Sequence, residues 1–211
     1  VADLSQDALA EIRVQEQQEA ARLGDYSAVI QLGYPSSIVK SSTTRAPLVS
    51  DLTEIFRKVQ PDQLLIHNFA DKHPTHVAVA MACLQAVRSL ASGERPRVLI
   101  GCEGWRDLGW IPDRKKVLLD AGSDTLFAES LYKVFRSQID GGKRYDRAVL
   151  GRKFANATML DPHSTDAMEM AEVGMDLTPL LLDDSLDPAD FTLALVYEFQ
   201  EEVRNALAAT S

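Results

Sequence analysis

Two short, continuous apolar runs, LLIHNF at residues 64–69 and RVLIGC at residues 97–102, constrain this chain more than any other feature. An unbroken apolar run of that length reads as a strand buried on both faces, and such strands belong to parallel sheets covered by helical crossovers. Between the two runs, residues 74–90 place Val77, Ala80, Met81, Leu84 and Val87 on one helical face. Strand, helix and strand then form a right-handed crossover unit. The remaining sequence extends the alternation. Residues 7–23 are strong helix formers, with Leu9, Ile12, Ala20 and Leu23 on one stripe and Gly24 as a stop. Glu16 falls on that stripe and needs a partner such as Arg13 or a backbone donor. YSAVIQL, residues 26–32, is expected as a strand, residues 33–47 as a long loop, and residues 48–59 as a helix that Pro61 prevents from running on. After a Trp-rich loop at 103–114 come a short strand at 117–120 and helices at 124–139, 145–159 and 188–208. The expected fold class is α/β: a Rossmann-like, mostly parallel sheet with helices on both faces and additional C-terminal helices.

Length and composition bound the function. The 211 residues suit a single domain, and 45% hydrophobic with 25% charged residues supplies a sizeable core. Lys and Arg number 22 against 31 Asp and Glu, a formal charge of -9, which argues against nucleic acid or an anionic membrane as partner. No apolar run has the length of a membrane span and the N-terminus is polar and mixed in charge, unlike a signal peptide, so a cytoplasmic location is expected. Cys83 and Cys102 sit in apolar stretches and read as free thiols.

Open α/β sheets form sites at the carboxyl ends of their strands, here just after Leu32, Ile66 and Cys102. Three of the four histidines, His67, His73 and His76, fall within ten residues at one such end. Pro74 suits the first helical position with His73 at the cap, so His73 and His76 emerge close together on the first turn. Imidazole there serves as a metal ligand or as a general acid or base. The plain alternative is a capping His73, a packed His76 and a His67 satisfied at its strand end.

PDQLLIHNFADKHPTHVAVAMACLQAVR, residues 61–88, resembles the second motif of the PIG-L/LmbE-type zinc-dependent N-deacetylases: strand, short loop with Asp, His-Pro-Asp-His box and helix. ALAEIRVQEQQEAARLGDYSAVIQLGYPS is similar to the family's Arg-x-x-Glu helix and following strand, and CEGWRDLGW to a later segment. The resemblance covers about residues 8–166. It implies that His76 is a zinc ligand and that His73 is the catalytic acid or electrostatic group. Asp71 would take over part of the role of the box Asp, which is Thr75 here. It further implies substrate-binding roles for Arg13, Trp105 and Arg106, although Arg13 pairing with Glu16, and tryptophans covering the sheet edge, remain open. The family's first motif, His-Pro-Asp-Asp-Glu, which supplies two ligands and the base, does not occur in the 211 residues. The resemblance therefore implies that a leading strand-helix-strand unit, on the order of 30 residues or more, is missing before Val1.

The expected function is zinc-dependent hydrolysis removing an acyl group from an N-acetylated amino sugar or related N-acyl compound. In that chemistry zinc acidifies a water and polarises the amide carbonyl while His73 helps the amine leave. The alternative is a metal-free carbohydrate- or nucleotide-binding module derived from such a hydrolase. The partner is then a small N-acyl, sugar-like molecule, with a homo-oligomer left open.

Overall fold

Strong helix formers at the start of the chain build α1, Gln6–Leu23, in a computed structural model that describes residues 4–210. Val1, where the leading unit is expected to join, lies outside the described residues. The Ser5 hydroxyl caps α1 by accepting the Ala8 N–H at 3.2 Å, and the Gly24 N–H closes it on the Ala20 carbonyl at 2.8 Å. The chain divides into two compact units, one formed by the segments through residue 33 and 120–171, the other by 34–119 and 172 onward.

The first unit is helical. It contains α1 and, later in the chain, α5 (Thr125–Lys133), α6 (Arg136–Ile139) and α7 (Tyr145–Thr158); the helices that fall between α1 and α5 in sequence belong to the second unit. The single helix expected over 124–139 is interrupted, because Phe135 has a non-helical ψ of 53°. That break makes Ser137 a first-turn residue whose backbone N–H has no partner within α6. The N–H donates to Glu16 Oε1 at 2.6 Å and the Ser137 hydroxyl to Glu16 Oε2 at 2.7 Å. The carboxylate on the apolar stripe is thus satisfied by Ser137 and not by Arg13. Residues 26–32 do not form the expected strand. Tyr26 and Ile30 are 52% and 55% exposed, and β-branched residues favour a strand only where a neighbouring edge offers hydrogen bonds and cover.

The second unit opens with α2 (Ser36–Lys40), inside the expected loop, and α3 (Ala46–Val59), which ends where Gln60 turns left-handed at φ 47° ahead of Pro61. Then follow β1 (Gln63–His67), α4 (Pro74–Arg88), β2 (Val98–Cys102), β3 (Lys116–Asp120), β4 (Ala171–Asp176), α8 (Pro179–Leu182) and α9 (Pro188–Ala208). The sheet order is β1-β2-β4-β3. β1 and β2 are parallel, with His67 opposite Cys102, whereas β2 and β4 are antiparallel, with Cys102 opposite Gly174. The expected mostly parallel sheet is therefore corrected to a mixed one. An unbroken apolar run reports burial, and an interior antiparallel neighbour buries β2 as well as a parallel one does. Gly174 is required at this pairing, since a Cβ there would stand 2.4 Å from Ile100 Cγ2.

Leu84, Val87, Leu99, Met175, Leu177 and Leu180 are wholly buried at the centre of the unit and join α4 and α8 to the sheet. Truncating one of these leucines to Ala would cost about 2–5 kcal/mol. No helix among the described residues is long and apolar enough to cross a membrane.

Candidate functional site

The parallel pair β1 and β2 ends side by side, and the residues that follow these ends build the site. Asn68, wholly buried, ties the two tips together: its Nδ2 donates to the Cys102 carbonyl at 2.8 Å and its backbone N–H to the same oxygen at 3.3 Å. A short loop then carries the chain into α4. Pro74 takes the first helical position, where a missing N–H is no loss, and His73 occupies the cap without a side-chain capping bond. Its imidazole is therefore not a helix cap.

Asp71 organises the loop. Its side chain is fully buried; Oδ1 accepts the His73 N–H at 2.9 Å, while Oδ2 accepts the Trp105 N–H at 3.1 Å and lies 3.2 Å from His76 Nδ1. Burial opposes the charge, but the bonds from His73, His76 and Trp105 outweigh it and hold the carboxyl below the ordinary carboxylate range. An ionised Asp71 assigns the Nδ1 proton to His76 and leaves Nε2 as the lone-pair nitrogen, the arrangement in which carboxylates orient metal-binding imidazoles. Asp71, expected to take over part of the role of the box Asp, meets the ring of His76 and touches His73 only at the backbone. Gly104 makes the closure possible. A Cβ there would stand 2.1 Å from Asp71 Oδ2 and 3.3 Å from His76 Nδ1.

Two further rings lie against His76. His67 at the end of β1 stacks on it with centroids 3.9 Å apart and planes within 4°, and His73 stacks at 4.6 Å and 30°. Burial, then repulsion from His76, pushes the His67 pKa down to about 4, with Asp71 acting in the opposite sense. The ligand atoms of His67, Asp71 and His76 all lie within 4.8 Å of one another. Imidazole nitrogen and carboxylate oxygen are the donors zinc takes, so the chemistry of the set fits a divalent ion. The geometry adds a condition. A metal lies in the plane of the imidazole that binds it, so two parallel rings 3.9 Å apart share one ion only after one of them turns. Of the two rings, His76 is the one a carboxylate holds in place, through Nδ1.

Trp105 and Arg106 are brought beside this group: Trp105 through its backbone bond to Asp71, and Arg106 through a bond from Nε to the Ala70 carbonyl at 2.5 Å. The Trp105 indole is 40% exposed. Thr75 shares a hydrogen bond of 2.8 Å with Ser36 on α2. Arg13 belongs to the first unit, where it lines a cavity along α1 with Gln6, Gln17 and Gln138. His163 is exposed in its loop. The residue that the sequence reading left out of the site is His67. Its signal was present, as a strand-end histidine within ten residues of two others.

Residues 2–87 match the PIG-L family, described as GlcNAc-PI de-N-acetylase. No curated protein sequence matches the chain. Among solved structures, the conserved protein TT1542 from Thermus thermophilus is 21% identical at a TM-score of 0.60, covering 84% of this chain and 78% of that one. N,N'-diacetylchitobiose deacetylase from Pyrococcus horikoshii, complexed with its inhibitor MPG, is 18% identical at 0.59, over 86% and 68%. GalB, the 4-carboxy-2-hydroxymuconate hydratase from Pseudomonas putida, is 17% identical at 0.53, over 84% and 75%. A deacetylase and a hydratase on one fold show that the likeness reports architecture, and that the chemistry must be argued from the site.

Proposed function

We propose, on the match of residues 2–87 to the PIG-L family of de-N-acetylases, that this chain carries the histidine half of a zinc-dependent amide hydrolase acting on an N-acyl amino sugar or a related N-acyl compound. The observation that carries the proposal is the buried Asp71 carboxylate clamping His76 by Nδ1, with Nε2 left for a ligand. His76 would hold the metal, with Asp71 orienting it and His67 in reach as a further donor. A bound zinc ion would supply Lewis acidity, polarising the amide carbonyl and acidifying water.

The remaining work falls to the chain's own side chains. Asp71 fixes the tautomer and direction of the His76 ring, so the metal-binding nitrogen needs no reorganisation. His73, exposed and free of capping, holds a proton at its ring for delivery to the departing amine nitrogen. The half-exposed Trp105 indole offers a flat apolar face to a sugar ring, and Arg106 a cation beside it. The general base of the family's first motif is not among these residues.

The test is deacetylation of an N-acetylglucosamine conjugate by the full-length protein and its His73→Ala and His76→Ala variants. His76→Ala should lose zinc and turnover together, and His73→Ala should keep zinc while turnover falls about 100-fold or more, as for loss of a general acid. Full activity in His73→Ala would remove that residue from the mechanism.

A further inference from the structure

The second unit contains a cavity of about 780 Å³ with apolar walls from Phe69, Val77, Met81, Trp110, Val196 and Phe199. It runs between the loop after β2, α4 and the first half of α9. Three of its lining residues are covalent neighbours of the residues that build the histidine site: Ala70 precedes Asp71, Val77 follows His76, and Arg106 follows Trp105. The cavity thus lies next to the cluster along the chain at three places.

Its polar groups are few and unevenly satisfied. Trp110 Nε1 is buried and has no hydrogen-bond partner. Such an indole N–H is costly unless an acceptor reaches it. Arg106 uses Nε on the Ala70 carbonyl, and its two terminal nitrogens make no hydrogen bond among the described residues. The one acidic residue in the lining, Asp187, is engaged in capping α9, accepting from the Ala189 N–H at 2.8 Å and the Asp190 N–H at 3.1 Å. The cavity thus pairs an apolar body with the Arg106 cation, in a chain whose formal charge is -9.

We propose that this cavity is a subsite for an alkyl or aryl group that carries an anionic acceptor such as a carboxylate, phosphate or sulfonate. The apolar part fills the space between α4 and α9, and the anion lies against Arg106. This assigns the substrate of the neighbouring centre a hydrophobic arm, and in that respect it rests on the hydrolase reading. The ligand-binding property itself does not.

The probe is 1-anilinonaphthalene-8-sulfonate, an aryl group with a sulfonate, titrated into the full-length protein and followed by energy transfer from Trp110 in a Trp105→Phe background. One saturable site is expected. Leu193 is a half-exposed lining residue of α9, so Leu193→Glu leaves the core untouched and should weaken the probe at least about tenfold, 1.4 kcal/mol. Arg106→Gln should weaken it several-fold and flatten its dependence on salt. His76→Ala should leave probe binding unchanged, which separates the subsite from the metal reading. Zinc retained by Leu193→Glu with probe binding lost supports the subsite, whether or not hydrolysis is found. If Leu193→Glu and Arg106→Gln bind the probe as the parent does, the proposal is overturned. It is equally overturned if probe fluorescence per chain falls as protein concentration rises and sedimentation shows a dimer, because a second copy then covers the groove.

Discussion

Replacing Gly104 with Ala adds a single carbon 2.1 Å from Asp71 Oδ2, and the sign of its effect discriminates between two accounts of the loop. Gly104 does not sit at positive φ, so on backbone grounds alone Ala would stabilise the protein by about 0.4–1 kcal/mol through the unfolded chain. The clash acts the other way. Oδ2 is held by the Trp105 N–H and His76, and Oδ1 by the His73 N–H, so the carboxylate moves only by giving up bonds to a buried charge. Each such bond is worth about 1.5–3 kcal/mol. Relaxation recovers part of that, and a net loss of about 1–3 kcal/mol is expected, the range for one extra methyl forced into a packed site. In urea unfolding the midpoint should fall with an unchanged slope. Zinc affinity of the full-length protein should fall about 10–100-fold, as when a ligand histidine loses its supporting carboxylate. A Gly104→Ala protein more stable than the parent, with unaltered zinc affinity, would refute the buried clamp.

Three further outcomes follow from other parts of the molecule. Ser137→Ala removes a hydroxyl donor from the buried Glu16 carboxylate and should cost about 1.5–3 kcal/mol in thermal melts; an unchanged melt contradicts the role given to that contact. Burial pushes the Cys83 thiol up to about 12, so iodoacetamide at a mildly alkaline pH should modify Cys83 only after unfolding, as read by mass spectrometry. His67 has its pKa lowered from 6.5 to about 4 by burial, so the unfolded state binds a proton in that window that the metal-free folded state does not. Stability contributed by this group is complete above pH 6.5 and declines as pH falls toward 4, and His67→Gln should flatten that decline in denaturant melts across the range.

The elements that were legible in the sequence are those whose signal is local. Pro74 starts α4, Gly24 ends α1, and the apolar runs mark β1 and β2, but only β2 is buried as its run implies: β1 is an edge strand among the described residues, with Leu65 52% exposed. Residues 26–32 misled because strand propensity is a statement about a partner that the run itself does not contain. β4 was missed for the opposite reason. Its apolar residues Ala171, Val173 and Met175 alternate with Glu172, Gly174 and Asp176, a period-two pattern weakened by a glycine that is itself buried, where Ile100 approaches closely. At the site, the clustering of three histidines was visible, but the partner of Asp71 was not. Sequence spacing placed it two residues from His73, whereas the loop turns the carboxylate back to His76 and lets Trp105, 34 residues on, donate to it.

Zinc binding by His76 is the claim from which the rest of the account follows. The direct measurement is zinc stoichiometry and affinity of the full-length protein by equilibrium dialysis against a competing chelator, for parent, His76→Ala and His73→Ala. One zinc per chain is predicted for the parent and for His73→Ala, with loss of most affinity in His76→Ala. Stoichiometric zinc in His76→Ala at parental affinity would contradict the account.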